Sequence, residues 1–377
     1  MKRTLAALLC VSALLTPAAL AADGPQVEAA AAVLMEKETG TVLCEQSAHD
    51  KREPASVTKI MTLLLVMEAL DEGRISLTDP VTVSARAASM GGSQVYLKEG
   101  EQMSVEELIK AVAVVSGNDA AVALAEHIAG SEEAFVARMN ERAAQLGMAD
   151  TTFVNCTGLP AAGHLTSAYD IALMSRALIL DHPDIRQYST IWMDTIRDGQ
   201  FQLANTNKLV RYFEGCTGLK TGSTDSALYC LSATAEREGM ELIAVVLGSP
   251  TSAQRFDAAQ ALLTYGFANY TLVDVRPDQA IPPVAVSLGV TDTVQPVLAS
   301  GSRILVEKRM LNQITTSLQL TEGVEAPVEE GQKLGELTVS AGGTQLQTIP
   351  LVAHQAVARI TVPGLFLRLV RTLFLAG

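Results

Sequence analysis

The chain has 377 residues, of which 18% are charged, and its formal net charge is −13 at pH 7. This length allows two or three domains with sizeable cores, and the low charged fraction argues against long disordered segments. The acidic balance argues against nucleic acid as a partner, and we interpret it as a feature of a soluble surface.

The first residues predict a secretory signal peptide over 1–21. Two basic residues precede an apolar run at 5–15, and the small residues Ala19 and Ala21 follow it. This order is typical of a signal that is cleaved after the second small residue. An uncleaved membrane anchor is the less favoured alternative, because Pro17 interrupts a run that is already shorter than the roughly 20 residues of a span. We therefore expect an exported protein that acts at the extracytoplasmic face of the cytoplasmic membrane.

The following 240 or so residues alternate between strand and helix patterns. Residues 30–46 predict a hairpin, and apolar residues recur at helical spacing over 57–70 until Gly73. Later patterns predict helices at 104–114, 118–129, 131–146 and 168–180, strands at 228–236 and 241–248, and a helix at 252–268. Strands at both ends of this segment predict an α/β domain whose sheet joins the two ends.

The last hundred or so residues change in texture. Residues 273–362 contain short Val, Ile, Leu and Thr runs between Pro and Gly, which predicts a small all-β domain. We expect the first domain at 25–271, the β domain at 272–362 and a terminal helix at 363–377.

That terminal helix is predicted to be amphipathic. Its polar side carries Arg368, Arg371 and Thr372, and the opposite side carries Leu365, Phe366, Leu369, Val370, Leu373 and Phe374. A short helix of this kind fits a membrane interface, and the absence of acidic residues favours a membrane surface over the alternative, a helix docked on its own domain.

The cysteines and histidines do not predict a metal site or a cofactor. The four cysteines after the signal segment are far apart and lack zinc spacing, so we interpret them as packed thiols: Cys44, Cys156, Cys216 and Cys230. A disulfide remains open, since the expected compartment permits one. The five histidines are scattered. His164 could line a cleft, but we interpret it as a loop histidine whose ring nitrogens are hydrogen-bonded.

The chemistry of the chain centres on three strings, which are Ser56-Val57-Thr58-Lys59, Ser116-Gly117-Asn118 and Lys220-Thr221-Gly222. One S-x-x-K alone means little, because a chain of this length should contain roughly one by composition. The three strings in this order supply a nucleophile, two candidate proton carriers, an amide and a cation. Those are the parts of a serine acyl-transfer site that works without a histidine base.

The first string places Ser56 at the N-terminal end of a predicted helix. Free backbone N–H groups and the helix dipole there favour developing negative charge. Lys59 lies one turn further on the same face. It can accept the serine proton only if its pKa falls toward neutrality, and burial and a second cation, for which Lys220 is the candidate, both lower it. A capping serine and a solvated lysine are the alternatives.

The second string lies between two predicted helices. Ser116 could relay a proton between Lys59 and a leaving amine, and the Asn118 amide could donate to a substrate carbonyl. Either residue could instead be a helix N-cap.

The third string precedes the strand predicted at 228–236. Gly222 would let a substrate backbone pair closely with an edge strand. The backbone N–H groups of Ser223 and Ser56 could form an oxyanion hole. Arg255, near the start of the last predicted helix, could hold a free carboxylate, although a surface arginine is the alternative.

With these strings the chain resembles the penicillin-binding D-alanyl-D-alanine carboxypeptidases, low-molecular-mass serine peptidases of bacterial cell walls. The resemblance runs through about residues 28–270 and extends more loosely to the β domain and the terminal helix. The matching strings are Pro54-Ala55-Ser56-Val57-Thr58-Lys59-Ile60-Met61-Thr62, Val115-Ser116-Gly117-Asn118-Asp119-Ala120-Ala121, Asn155-Cys156-Thr157-Gly158-Leu159, His164-Leu165-Thr166-Ser167-Ala168-Tyr169-Asp170, Leu219-Lys220-Thr221-Gly222-Ser223-Thr224 and Arg255-Phe256. One departure is Thr217, where the family often has Asp, and we expect it to alter local packing.

This resemblance implies a β-lactamase/transpeptidase-like domain, with helices flanking an antiparallel sheet. It also implies that Ser56 attacks the bond between two D-alanines of a peptidoglycan stem pentapeptide, with Lys59 as base and Ser116 as proton shuttle. Lys220, Thr221 and the residues around them, with Arg255, would orient the substrate. Penicillins would acylate the same serine.

Two other functions stay open at this level. A class A β-lactamase shares two of the strings, but it would have S-D-N and a deacylating glutamate string, and it would lack the β domain. A sensor that is acylated by β-lactams or wall peptides without turnover is also compatible with the motifs, because deacylation depends on how water is placed.

Overall fold

The computed structural model describes residues 24–277, 279–299 and 303–375. The signal segment predicted over 1–21 therefore lies outside the described residues. None of the helices in the described ranges is long and apolar enough to cross a membrane. The four cysteines in these ranges are free thiols.

The described chain divides into two compact units. The first runs to Glu236 and resumes over Glu241–Leu263, and the second comprises Arg237–Met240 and the chain from Thr264 onward. The two units have different architectures, a mixed α/β unit and a largely β unit, and each is described separately below.

The first unit is built on a five-stranded sheet. The unit contains nine strands in its described residues, five in this sheet and four in a pair of two-stranded sheets: β1 Ala31–Glu36, β2 Val42–Gln46, β3 Pro80–Thr82, β4 Gln102–Ser104, β5 Met193–Ile196, β6 Phe201–Ala204, β7 Cys216–Thr224, β8 Leu228–Arg237 and β9 Met240–Ser249. The large sheet has the order β2-β1-β9-β8-β7, so β7 is an edge strand. β1 pairs antiparallel with β9, with Val33 opposite Val245. The predicted α/β class, with a sheet that joins both ends of the segment, is confirmed.

Helices occupy the chain between these sheet strands. They are α1 Lys59–Asp71, α2 Ala85–Ala88, α3 Val105–Val115, α4 Asn118–Ala129, α5 Glu132–Gln145, α6 Ala168–Asp181, α7 Arg186–Ser189, α8 Leu209–Tyr212 and α9 Ser252–Asn269, with 3-10 turns at Ala55–Thr58 and Pro183–Ile185. The six long helices lie within a few residues of the sequence prediction.

Both faces of the sheet are covered. Ile243, Val245 and Leu247 belong to the main hydrophobic cluster together with residues of α1 such as Leu63. The alternate residues of β9 point to the opposite face and are buried as well. A strand buried on both faces reads as a continuous apolar run, as this one does. α1 is itself buried along nearly its whole length, so its first turn lies deep in the unit.

The second unit is mostly β-structure. Its strands are β10 Tyr270–Asp274, β11 Val284–Ser287, β12 Thr293–Val294, β13 Pro296–Leu298, β14 Arg303–Glu307, β15 Ile314–Leu320, β16 Gly323–Glu325, β17 Lys333–Ala341 and β18 Thr344–Ala353, with a 3-10 turn at Lys308–Gln313. They form sheets of order β13-β18-β17-β15, β12-β11-β16 and β10-β14. The predicted small all-β domain is confirmed. The chain then enters the helix α10, Val362–Leu375.

Candidate active site

Ser56 lies in a tight turn that leads into the buried helix α1. The turn is a 3-10 helix at Ala55–Thr58, and Ala55 adopts a positive φ of 49°. Lys59, the first residue of α1, brings its Nζ to 2.9 Å from Ser56 Oγ. The sequence predicted a helix over 57–70 with Ser56 at its N-terminal end. The α-helix begins two residues later, at Lys59, and the half-buried Ser56 lies in the 3-10 turn before it.

The Lys59 amine is fully buried and has three oxygen neighbours. Besides Ser56 Oγ, Nζ donates to Asn118 Oδ1 at 2.6 Å and to the backbone oxygen of Thr157 at 2.7 Å. Burial lowers the pKa of Lys59 to about 7. The two carbonyl oxygens can only accept, whereas the serine hydroxyl can also donate. A neutral amine thus satisfies both carbonyls with its two hydrogens and turns its lone pair to the Ser56 proton.

The Ser116-Gly117-Asn118 string forms a bend between α3 and α4. Ser116 ends α3 in a left-handed conformation, with φ 66° and ψ 30°. Its hydroxyl is buried and has no hydrogen-bond partner within the described part of the chain. A buried unpaired hydroxyl is costly, and such atoms in native proteins are often functional. The alternative, an N-cap at Ser116, does not occur.

Asn118 is the first residue of α4 and is held from several sides. Its Nδ2 donates to the Gly91 oxygen at 2.7 Å, its Oδ1 accepts from Lys59, and its backbone N–H donates to the Ser93 oxygen. The side chain therefore positions the lysine amine. One N–H of Nδ2 has no part in these contacts.

The Lys220-Thr221-Gly222 string precedes β8, the strand predicted at 228–236, and itself lies within the edge strand β7, which the sequence did not predict. Gly222 presses against the nucleophile turn: a β-carbon there would lie 2.9 Å from the backbone nitrogens of Ser56 and Val57. Only a residue without a side chain allows this approach. The strand register places Ser223, which is exposed, next along the same edge.

Lys220 is buried, and its Nζ donates to the Thr221 oxygen at 3.0 Å. Burial, followed by repulsion from Lys59 and Arg255, lowers the pKa of Lys220 well below its usual range. The sequence argument named burial and a second cation as causes of a low pKa for Lys59. Burial is the leading cause, and the repulsion between the two lysines contributes to the lowered pKa of Lys220. The Thr221 hydroxyl bonds Thr206 Oγ1 at 2.6 Å.

Arg255 is buried on α9 and reaches across the β7–β8 pair. Its Nη1 lies 3.1 Å from the Gly222 oxygen and 3.3 Å from the Cys230 oxygen, and Nη2 donates to Ser252 Oγ. The surface-arginine alternative is therefore wrong. Nε is buried without a partner in the described residues. The Thr217 departure is accommodated locally, since its hydroxyl donates to the buried Glu241 carboxylate at 2.7 Å.

Sequence reasoning missed a second loop that supports the nucleophile turn. In addition to the Thr157–Lys59 contact, Thr62 Oγ1 donates to the Cys156 oxygen at 2.7 Å. Gly158 has a φ of +83°, and a β-carbon there would lie 1.8 Å from the Ala55 oxygen. The only sequence signal was the Asn155-to-Gly158 string itself, because its partners lie about a hundred residues away.

His164 belongs to the same support. Its Nδ1 accepts from the Val154 N–H at 2.9 Å, which leaves Nε2–H to donate to Thr58 Oγ1 at 2.8 Å. Burial lowers the pKa of His164 to about 4, so the ring is neutral near pH 7. The interpretation of His164 as a satisfied loop histidine is confirmed: both ring nitrogens are hydrogen-bonded, and the ring is buried beside the Ser56-to-Lys59 string. In the described residues, no cluster of three or more His, Cys, Asp or Glu side chains could hold a metal ion.

Comparisons with known proteins agree with this architecture. The family model for D-alanyl-D-alanine carboxypeptidase matches residues 18–251, and that for the penicillin-binding protein 5 C-terminal domain matches 275–359. The chain is 40% identical to D-alanyl-D-alanine carboxypeptidase DacF of Bacillus subtilis, covering 94% of each chain. It is 37% identical to DacC of Escherichia coli, covering 91% of this chain and 89% of that one.

Solved structures show the same likeness. Penicillin binding protein 5 from Haemophilus influenzae superposes with a TM-score of 0.82 at 31% identity, covering 90% of this chain and all of the other. Penicillin-binding protein D2 from Listeria monocytogenes, in an ampicillin-bound form, covers 64% of this chain and all of its own, with a TM-score of 0.60 at 34% identity. These likenesses define a serine peptidase of the penicillin-binding class. The chain belongs to the D-alanyl-D-alanine carboxypeptidase family.

Proposed function

We propose that Ser56 is the nucleophile of the carboxypeptidase reaction and that Lys59 is its base. The observation that carries this proposal is the buried Lys59 amine, 2.9 Å from Ser56 Oγ, with two acceptor-only oxygens as its other neighbours. The substrate is a peptidoglycan stem pentapeptide that ends in D-alanyl-D-alanine. Ser56 Oγ bonds to the carbonyl carbon between the two D-alanines, and its proton passes to Lys59 Nζ.

The same proton then serves the leaving group. As the carbon–nitrogen bond breaks, Lys59 returns the proton through the Ser116 hydroxyl to the nitrogen of the departing D-alanine. The unpaired, buried Ser116 Oγ supports this relay. Water then attacks the Ser56 ester, gives its proton to the same carriers, and releases the shortened peptide with its new carboxylate. The serine recovers its hydroxyl proton, so the cycle balances.

The edge strand β7 provides the substrate groove. The peptide backbone pairs along this edge, where Gly222 removes the steric obstacle. The backbone N–H groups of Ser56 and Ser223 stabilise the developing oxyanion. The free N–H of Asn118 donates to a carbonyl of the bound peptide.

The terminal carboxylate of the substrate is bound at the far end of this groove. Lys220 and Arg255 orient it electrostatically, and the Thr221 hydroxyl donates to it. The unpartnered Nε of Arg255 supports this assignment, although its Nη1 contacts hold backbone oxygens of the β-hairpin. Penicillins mimic the D-alanyl-D-alanine end and acylate Ser56.

The test is steady-state release of D-alanine from a synthetic pentapeptide, run beside labelling with a fluorescent penicillin. Sustained release by the wild-type chain, and loss of both signals in Ser56→Ala with an unchanged circular-dichroism spectrum, is the expected result. Labelling with a single turnover only would instead identify a sensor, and hydrolysis of penicillin faster than of peptide would identify a β-lactamase. Persistent covalent labelling of Ser56→Ala would exclude Ser56 as the nucleophile.

The protein is further proposed to be exported and to work at the outer surface of the cytoplasmic membrane, with α10 lying in the membrane interface. Residues 1–21 have the pattern of a cleaved signal. Exposed apolar residues on α10, together with the absence of acids in its sequence, support an interfacial helix.

A further inference from the structure

Helix α10 is attached to one particular turn of the β unit. Arg368 Nη1 donates to Asp292 Oδ1 at 2.7 Å, and Nη2 donates to the Val290 oxygen at 2.8 Å. The turn, residues 288–292, connects β11 to β12. The chain that leads into the helix holds the same turn, because the Ile360 N–H donates to the Leu288 oxygen at 2.8 Å. The helix and the turn therefore share one side of the unit.

The Arg368 contact determines which face of α10 is turned outward. Phe366 is two residues from Arg368, which places it about 200° around the helix, on the opposite side. It is 66% exposed, and Val362 at the start of the helix is 83% exposed. The arginine faces the turn, and an apolar surface faces away from it.

The turn carries exposed apolar residues of its own. Leu288 is 41% exposed and Val290 is 52% exposed. Leu288 also has a φ of +56°, in the left-handed region where Gly or Asn would be expected. A leucine held exposed in this conformation costs stability, and such strain is characteristic of functional positions.

Exposed large apolar residues of the described β unit are concentrated here. They are Leu288, Val290, Leu311, Val362, Phe366 and Leu367. Five of these six belong to the turn or to α10, so the exposed apolar residues are grouped on these two segments rather than scattered over the unit.

We propose that the turn at 288–292 and helix α10 form a single lipid-docking surface, with Arg368 as the clamp that aligns them. This inference rests on the proposed membrane association of α10. The occupant is a lipid surface because α10 has no acidic residue, and because the one acid at the turn, Asp292, is paired with Arg368. Since Arg368 is engaged within the protein, it orients the helix instead of binding lipid phosphate. Leu288 and Val290 supply a second apolar contact beside the helix.

The first test measures flotation of the mature chain with phosphatidylcholine vesicles, with and without phosphatidylglycerol. The double variant Leu288→Asn/Val290→Ser removes both apolar side chains. Asparagine is chosen at 288 because it tolerates the positive φ of that position. We expect the partition coefficient of the double variant to fall about tenfold, as removal of two aliphatic contacts implies. Leu311→Ser, the matched control outside the surface, should change partition by less than about twofold.

Deletion of residues 364–377 separates the two proposals. If the deletion abolishes flotation while the double variant floats like wild type, the turn takes no part in lipid binding and α10 alone is the anchor. Flotation of the deleted chain like wild type would refute the anchor and with it the shared surface. If the wild-type chain is dimeric in lipid-free buffer and the double variant is monomeric, a second copy of the chain occupies the surface. That result would overturn the lipid assignment.

The second test addresses the clamp. Arg368→Gln and Asp292→Asn each break the ion pair, so both should weaken binding to uncharged phosphatidylcholine vesicles by a similar factor. If Arg368 instead bound lipid phosphate, Asp292→Asn should strengthen binding to anionic vesicles, because the guanidinium would be freed from its carboxylate partner. Stronger binding of Asp292→Asn would therefore overturn the clamp. D-alanine release from a soluble peptide should stay at the wild-type rate in both variants, and unchanged urea unfolding of the second unit should show that it remains folded.

Discussion

Gly222 of the edge strand lies so close to Ser56 that a β-carbon on the glycine would be 2.9 Å from the serine backbone nitrogen. These residues are far apart in sequence, and their backbones meet where the oxyanion hole is proposed. The contact explains why the third motif ends in glycine: a side chain there would push the strand from the nucleophile turn.

We therefore expect Gly222→Ala to slow acylation by a fluorescent penicillin by about tenfold or more, since small displacements of reacting groups have large effects on rate. Gly323→Ala, in the second unit, is the control, because a β-carbon at Gly323 makes only ordinary contacts of 3.4 Å or more. A wild-type acylation rate in Gly222→Ala would show that the close approach of β7 to the Ser56 turn is not needed for acylation. Stopped-flow labelling of both variants makes the comparison.

The pKa of about 7 for Lys59 predicts a pH dependence of acylation. The amine accepts the serine proton only when neutral, so the acylation rate should rise through about pH 7 and level off about one unit above it. Lys59→Arg keeps the charge but cannot lose its proton, and it should be slower by a factor of about 100 or more. Lys98→Arg, at an exposed lysine, is the control. A rate that falls as the pH rises would contradict Lys59 as base.

His164 predicts a pH dependence of stability. Its pKa is 6.5 when unfolded and about 4 when buried in the folded chain. Above pH 6.5 both states are neutral and the residue adds no pH dependence. As the pH falls from 6.5 to 4, the unfolded state takes up the proton first, so the free energy of unfolding should drop by about 3 kcal/mol.

In His164→Gln this part of the acid destabilisation should be missing, whereas the exposed His127→Gln should behave like wild type. Urea unfolding at several pH values provides the measurement. Parallel stability curves for wild type and His164→Gln across this range would show that the buried ring is protonated in the folded state.

Arg255→Ala should reduce turnover of a pentapeptide more than turnover of the same peptide with an amidated C-terminus. The proposed partner is the terminal carboxylate, so removing either one should make removal of the other less costly. The comparison is needed because Arg255 also holds the Gly222 and Cys230 oxygens, and losing these bonds impairs both substrates equally. Equal fractional losses in kcat/KM on both peptides would assign Arg255 to the β-hairpin alone.

The sequence by itself determined the elements with strong local patterns. The apolar periods of α1, α3, α4, α5, α6 and α9 predicted helices at nearly their observed positions, because these signals depend on neighbours three and four residues away. The short strands of the second unit were recognisable from runs of Val, Ile, Leu and Thr between Pro and Gly. The three motifs made Ser56, Lys59 and Lys220 candidate site residues before any distance was known, and their resemblance to one family indicated the chemistry.

The tertiary structure alone decided how these parts are assembled. Local pattern placed Lys220 before a strand, but the edge strand it occupies is defined by pairing with β8. The roles of Asn118 and Thr157 in holding Lys59, and of His164 in holding Thr58, depend on contacts across 59, 98 and 106 residues. Local sequence patterns, which depend on residues a few positions apart, do not reveal contacts of this length. The lysine pKa is likewise a property of burial, which exists only once helices from distant parts of the chain have closed around the amine.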